Sequence, residues 1–179
     1  MHTLIVGRTG SGKSAQAKQL GSALRERGWE VLAYNPTMEP GYTVRDDHGC
    51  AAAEFETTNA DEFMREVEHR ISRDPKARFL IVDEAHEFFS KAQSQDRLWV
   101  ARYGRHYGLN IIAITQRMQD VHTTLRTQCA TVYIMPCSLT DAKFAADEYG
   151  SKVLAKAPDL KPGKYFKCTP DGVVKGRVF

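Results

Sequence analysis

Gly7-Arg8-Thr9-Gly10-Ser11-Gly12-Lys13-Ser14 lies between Leu4-Ile5-Val6, a short apolar run that reads as a buried strand, and Ala15-Gln16-Ala17-Lys18-Gln19-Leu20, a run of good helix formers. Strand, glycine loop, Lys-Ser pair and helix, in that order, form the setting a phosphate-binding loop requires. Gly7, Gly10 and Gly12 let the backbone bend so that successive N–H groups, from Gly7 through Arg8, Thr9 and Ser11, point at a phosphate chain. The new helix turns its positive dipole end to the same anion. Lys13 reaches the β- and γ-phosphates as a point charge, and the Ser14 hydroxyl suits Mg²⁺. These residues predict a nucleoside triphosphate site.

The second informative stretch is Phe79-Leu80-Ile81-Val82-Asp83-Glu84, four apolar residues of a strand buried on both faces followed by two carboxylates. Ligands of open α/β sheets bind at that carboxyl end. Asp83 is expected to hold Mg²⁺ through water, and Glu84 to act as general base on an attacking water. A third strand, Asn110 to Thr115, ends in Gln116. An amide cannot abstract a proton, but it can hydrogen-bond a γ-phosphate or the attacking water.

With 179 residues, the chain predicts a single α/β domain, with a core over 1–150 and an extension over 151–179. Between the motifs, the spacing predicts helices over Lys13–Arg27, Asp61–Arg73, Gln95–His106, Val121–Arg126 and Asp141–Tyr149. Strands are predicted over Trp29–Tyr34, Ala52–Glu56 and Ala130–Met135. Gly163–Cys168 and Val173–Val178 flank Pro170-Asp171-Gly172 and predict a terminal β-hairpin. Residues 35–53, rich in Pro, Gly and Asp, read as a long excursion. The net charge of +3 excludes little, although residues 143–179 hold eight Lys/Arg against four Asp/Glu. The four cysteines show no metal spacing and read as free thiols. No run approaches the ~20 apolar residues of a membrane span.

The P-loop, the Asp-Glu strand and the block Gly104-Arg105-His106-Tyr107-Gly108 through Thr115-Gln116-Arg117 together resemble the FtsK–HerA superfamily of DNA-pumping ATPases. The similarity covers about residues 1–150. It is strongest to short members: genome-packaging ATPases of membrane-containing icosahedral viruses, and zonula-occludens-toxin-like phage assembly proteins. Met118 departs from the proline common after the Gln-Arg pair. The resemblance implies a RecA-like fold with a mainly parallel sheet, ATP and Mg²⁺ as ligands, and a homo-oligomeric ring, hexameric, around double-stranded DNA. Capsid or membrane-vertex proteins are further implied partners, and the host cytoplasm or the virion the place of action. It also implies an arginine finger donated by the neighbouring subunit, for which Arg105 matches best and Arg102 and Arg126 are rivals. Arg45, Lys91 and Arg97, on loops suited to face a pore, are the candidate DNA-phosphate contacts.

Three competing readings differ in chemistry. A small-molecule or nucleotide kinase would share the P-loop, but Glu84 with Gln116 suits activation of water. An assembly factor that uses ATP to extrude filamentous phage is another reading, against which stands that its relatives usually continue into a membrane span. A nucleotide-gated scaffold would have no use for Glu84. The lack of a Leu-Ser-Gly-Gly signature before Phe79 speaks against an ABC-type ATPase.

Overall fold

Leu4 and Val6 point to one side of β1 (His2–Val6) and Ile5 to the other, and all three are buried. A strand apolar on both sides needs cover on both faces. The computed structural model describes residues 2–38, 41–45, 49–74, 76–90 and 95–178. Within them β1 joins β2 (Glu30–Tyr34), β3 (Phe55–Thr57), β4 (Arg78–Val82), β5 (Leu109–Thr115), β6 (Cys129–Ile134), β7 (Lys164–Thr169) and β8 (Gly172–Arg177) in one sheet of order β3-β2-β4-β5-β1-β6-β7-β8. The strands from β3 to β6 in that order are parallel. The last two are antiparallel, so the predicted hairpin extends the main sheet.

Two apolar layers sandwich the sheet. Helix α1 (Lys13–Glu26) covers one face, where Ala17 packs with Ile5, Ala33, Ile81 and Ile114. Tyr42, Ala52 and Ala53 complete that layer, so part of the 35–53 excursion is core. A Cβ on Gly21 of α1 would fall 2.5 Å from the Ala52 carbonyl oxygen, which shows how closely this segment crosses the helix. The opposite face carries α2 (Ala60–Arg73), α3 (Ala85–Phe88), α4 (Gln95–Tyr103), α5 (Thr123–Gln128) and α6 (Leu139–Glu148). Phe63 and Val67 at their four-residue spacing, with Phe88, Leu98, Leu125 and Ala142, pack there against Leu4, Leu32, Leu80 and Ile111. Asn59 caps α2 by accepting from the Asp61 and Glu62 N–H groups, and Ser138 caps α6 through Asp141 N–H.

Two predicted elements differ in a way that matters, and one element is unpredicted. The strand expected over Ala52–Glu56 is β3, Phe55–Thr57, because Ala52 and Ala53 are drawn onto α1 first. The helix expected to reach His106 stops at Tyr103 and tightens into a 3₁₀ turn over Gly104–Tyr107. Residues Lys152–Asp159, where no element is predicted, form a 3₁₀ run whose Leu154 and Ala157 seal the α6 side of the core. Cys50, Cys129, Cys137 and Cys168 are all free thiols.

Candidate nucleotide site

The strand order fixes the site. β5 lies between β1 and β4, so Gln116, one residue past β5, emerges between the glycine loop after β1 and the carboxylates after β4. The loop is pinned from several sides: Gly7 N–H donates to Thr115 O (3.2 Å), Arg8 N–H to Pro136 O (2.8 Å), and Gly163 N–H to Ser11 O (2.9 Å). Gly12 enters α1 in the left-handed region at φ +103, and a Cβ there would sit 3.1 Å from Met135 Cε and 3.3 Å from Gly163 Cα. Only glycine meets both demands. Lys13 is buried and its ammonium donates to Arg8 O at 3.2 Å. Burial lowers its pKa, while the Glu84 and Asp83 carboxylates oppose that shift.

Gln116 ties the loop to the acidic pair. Its Nε2 donates to Glu84 Oε1 at 3.0 Å, and its Oε1 accepts from the Thr9 hydroxyl at 3.3 Å. The other Glu84 oxygen, Oε2, is buried and among the described residues accepts no hydrogen bond; the His86 ring Nδ1 lies 3.4 Å away. His86 in turn sits 3.5 Å from the Thr115 hydroxyl. Glu84 itself adopts φ +46, ψ +51, a left-handed conformation that non-glycine residues rarely hold. Asp83 is buried with Oδ1 accepting from Glu84 N–H at 2.9 Å, and burial raises its pKa against the hydrogen bonds that stabilise the carboxylate.

Tyr42 was invisible as a site residue in the sequence. Its ring is fully buried, and its hydroxyl donates to Asp83 Oδ2 at 2.8 Å. Burial and the neighbouring Asp83 carboxylate both raise its pKa. Glu56 at the sheet edge holds the backbone on which Tyr42 sits. Its carboxylate accepts from Tyr42 N–H (2.9 Å), Thr43 N–H (3.0 Å), the Thr43 hydroxyl (2.9 Å) and Asn35 Nδ2 (2.8 Å). Burial raises the Glu56 pKa, but these donors outweigh it and hold the carboxyl below its usual range. The one signal available was a lone large aromatic ring among turn-forming residues.

The donor set fits a magnesium ion: the Ser14 hydroxyl as a ligand and the Asp83 carboxylate as acceptor for a bound water, with the remaining positions left to phosphates and water. Among the described residues there is no cluster of three or more His, Cys, Asp or Glu side chains able to hold a metal alone.

The structure separates the candidate arginines. Arg105 is exposed in the 3₁₀ turn before β5, where its Nη2 donates to Gln128 at 3.3 Å. That is the end of the sheet opposite the P-loop, a five-residue strand or about 16 Å away, so this guanidinium cannot reach its own subunit's site. Arg126 is committed within the subunit, paired with Glu148 at 3.0 Å and stacked on Phe144. Arg102 is exposed on α4. Of the three candidate DNA contacts, Arg97 lies in helix α4 rather than on the expected loop, pairs with Asp61 at 2.8 Å and lies over the Phe88 ring, while the exposed Arg45 donates to Gly49 O at 2.9 Å. Lys91 lies outside the described residues.

No curated protein matches the chain significantly. Among solved structures, the genome packaging NTPase B204 from Sulfolobus turreted icosahedral virus 2 with AMPPCP superposes with a TM-score of 0.78 at 16% identity, over 98% of this chain and 96% of that one. The pCW3 conjugation coupling protein TcpA with ATPγS gives 0.70 at 15% identity, over 98% and 59%. The type VII secretion ATPase EccC from Thermomonospora curvata gives 0.69 at 14%, over 98% and 23%. These likenesses establish a P-loop NTPase fold of the kind shared by packaging and coupling ATPases. The Zonular occludens toxin (Zot) family matches residues 1–137, and the chain belongs to that family.

Proposed function

We propose that the chain is a Mg²⁺-dependent ATPase that acts as a homo-oligomeric ring, hexameric, to drive double-stranded DNA, packaging a viral genome at a capsid or membrane vertex. The observation that carries this reading is the Gln116 side chain, which bonds the P-loop through Thr9 and the base through Glu84. An amide in that position senses the γ-phosphate and transmits it to the base. Kinases have no need of such a link, since their acceptor is not water. B204 and TcpA, by name a packaging NTPase and a conjugation coupling protein, share this fold and support a DNA substrate.

The loop N–H groups and Lys13 bind the β- and γ-phosphates, and Ser14 and Asp83 hold magnesium. When bound, that ion neutralises charge on the phosphates. Glu84 Oε2, buried and without a hydrogen bond, is the acceptor for the water proton. As the water oxygen bonds to the γ-phosphorus, the β–γ bridging P–O bond breaks and the proton passes to Glu84. Gln116 leaves Glu84 to orient the water once phosphate competes for its amide. Arg105 from the neighbouring subunit completes the charge stabilisation, worth about 10³–10⁵ in rate.

ATPase rate measured against protein concentration, with and without double-stranded DNA, tests the proposal. The rate per subunit should rise with assembly and rise again with DNA; equal rates for monomer and ring, indifferent to DNA, would refute it. The family match favours one second reading, an ATPase for phage assembly or extrusion. It predicts assembly-dependent turnover without stimulation by DNA. Among the described residues no helix is long and apolar enough to cross a membrane.

A further inference from the structure

Of the cations expected to meet DNA, Arg97 is paired with Asp61 and Arg45 donates to the Gly49 carbonyl. A different set stands at the β8 edge of the sheet. Residues 152–178 carry seven Lys/Arg against two acids, Asp159 and Asp171, and Asp171 lies in the hairpin turn. Lys161, Lys164, Lys175 and Arg177 are exposed, and none of the ion pairs among the described residues involves them.

The strand register gathers these cations. Lys164 stands directly opposite Arg177, and Phe166 opposite Lys175. Opposite and alternate positions share a face. Lys164, Lys175 and Arg177 therefore occupy the face on which Phe166 joins the core, the one turned away from α1. Lys175 Nζ lies over the Phe166 ring, 5.9 Å from its centre. Neighbouring Cα positions on that face are about 5–7 Å apart. Lys161 stands in the turn before β7, where its carbonyl accepts from Lys164 N–H at 3.0 Å.

Edge protection does not account for this pattern. β8 is an edge strand, and a charge there guards against unwanted pairing. That purpose needs no second cation facing the first. Like charges directly opposite one another weaken a hairpin, and an acid at either position would have guarded the edge and paired with its neighbour. A local cost without a local gain points to a partner that supplies the missing negative charge. The patch is also fixed to the phosphate loop. Gly163 N–H donates to Ser11 O at 2.9 Å, and Gly163 O accepts from Val178 N–H at 2.8 Å. Gly163 precedes Lys164 and Val178 follows Arg177, so both cations sit next to anchored backbone. A contact that carries force needs such an attachment.

We propose that Lys161, Lys164, Lys175 and Arg177 grip the phosphate backbone of double-stranded DNA, independently of sequence, on a hairpin mounted on the phosphate loop through Gly163. The inference rests on the DNA reading above and gives that reading a contact surface.

Anisotropy of a short labelled duplex, measured with the full chain as salt is raised from about 50 to 200 mM, tests it. Each phosphate contact contributes about 0.9 to the slope of log affinity against log salt. Lys175→Gln with Arg177→Gln, and separately Lys161→Gln with Lys164→Gln, should each flatten the slope by about 1.8 and weaken binding equally for duplexes of unrelated sequence. Lys175→Arg should keep the slope. Arg27→Gln, which removes an exposed charge at the end of α1, should leave it unchanged. Thermal melts show that each variant is folded. Unchanged slopes in both double variants, or an Arg27→Gln loss as large as that of one patch charge, overturn the proposal while the DNA reading stands. If the four residues are needed instead for binding vesicles of phosphatidylserine in phosphatidylcholine, the partner is a membrane and the proposal falls. A wild-type protein that binds no duplex at about 50 mM salt removes both the grip and the DNA reading.

Discussion

Lowering the pH from 7 to 5 should cost the folded protein about 2 kcal/mol through one imidazole. His2, at the start of β1, is fully buried, with Nδ1 accepting from Ile111 N–H at 3.1 Å and Nε2 3.1 Å from Ala101 O. Only the neutral tautomer protonated at Nε2 satisfies both partners, and a second proton would face Ile111 N–H. Burial is the main cause that lowers its pKa from 6.5 to about 4; the Ala101 carbonyl opposes the shift and the Arg105 charge adds to it. Between those values the unfolded chain binds the proton and the folded chain does not. The stability is therefore complete above pH 6.5 and drains away as the pH falls toward 4. At pH 5 the unfolded state gains a factor of about 30 in statistical weight, which is about 2 kcal/mol, rising to about 3 kcal/mol below pH 4. Urea unfolding at pH 7 and pH 5 measures the loss. His2→Gln should be less stable at pH 7 by about 1–3 kcal/mol, having disturbed two buried hydrogen bonds. It should then lose about 2 kcal/mol less than the wild type on acidification. Equal losses in the two proteins would show that His2 does not carry the acid response.

Glu84→Gln should bind ATP as tightly as the wild type and lose turnover by about 10²–10⁴, read by isotherms and phosphate release; retained turnover would remove Glu84 as base. Arg105→Ala should bind ATP normally, keep the slow monomer rate and fail to accelerate as concentration rises; if the assembly-dependent gain survives, the finger is another arginine. Gly12→Ala places a Cβ against Met135 and Gly163 at positive φ and should abolish nucleotide binding with a loss of about 1–2 kcal/mol or more. Gly10→Ala, at φ +74 with nothing within 4 Å of the added carbon, should cost less stability, and a reversed order in thermal melts would contradict the steric account.

The P-loop, the Asp83-Glu84 pair and the strand-end Gln116 stand out in the sequence because each is a local pattern. An apolar run stops, and the polar group the chemistry needs comes directly after it. Strand order is not local. Nothing in residues 109–115 says that they insert between β1 and β4, yet that insertion is what brings Gln116 within 3.0 Å of Glu84. Tyr42 was hidden for a related reason. Its segment has the composition of a loop, and only the close approach to Gly21 and the clamp by Glu56 make it core. Gly163 likewise read as the start of a hairpin, whereas its N–H holds Ser11 of the phosphate loop.

The strained backbone at Glu84 follows from the sheet. Along a strand, successive side chains point to opposite faces. Had β4 continued, Asp83 and Glu84 would have been delivered to opposite sides, one toward α1 and the other away from it. The site needs both, since both carboxylates act on the same Lys13 ammonium. β4 stops at Val82, and Glu84 turns into the left-handed region at φ +46. Its N–H closes back on Asp83 Oδ1 at 2.9 Å, and its carbonyl accepts from Glu87 N–H at 2.8 Å to open α3. Such a conformation costs about 1–3 kcal/mol for a side chain with a Cβ. Glycine would adopt it freely and asparagine more readily than glutamate, but neither could serve as the base proposed for this position. On that reading the strain persists at Glu84 because its side chain cannot be exchanged for a backbone-friendly one, and its Oε2 is left without a hydrogen bond among the described residues. At Glu84 the backbone preference and the proposed chemistry conflict, and the observed φ follows the chemistry.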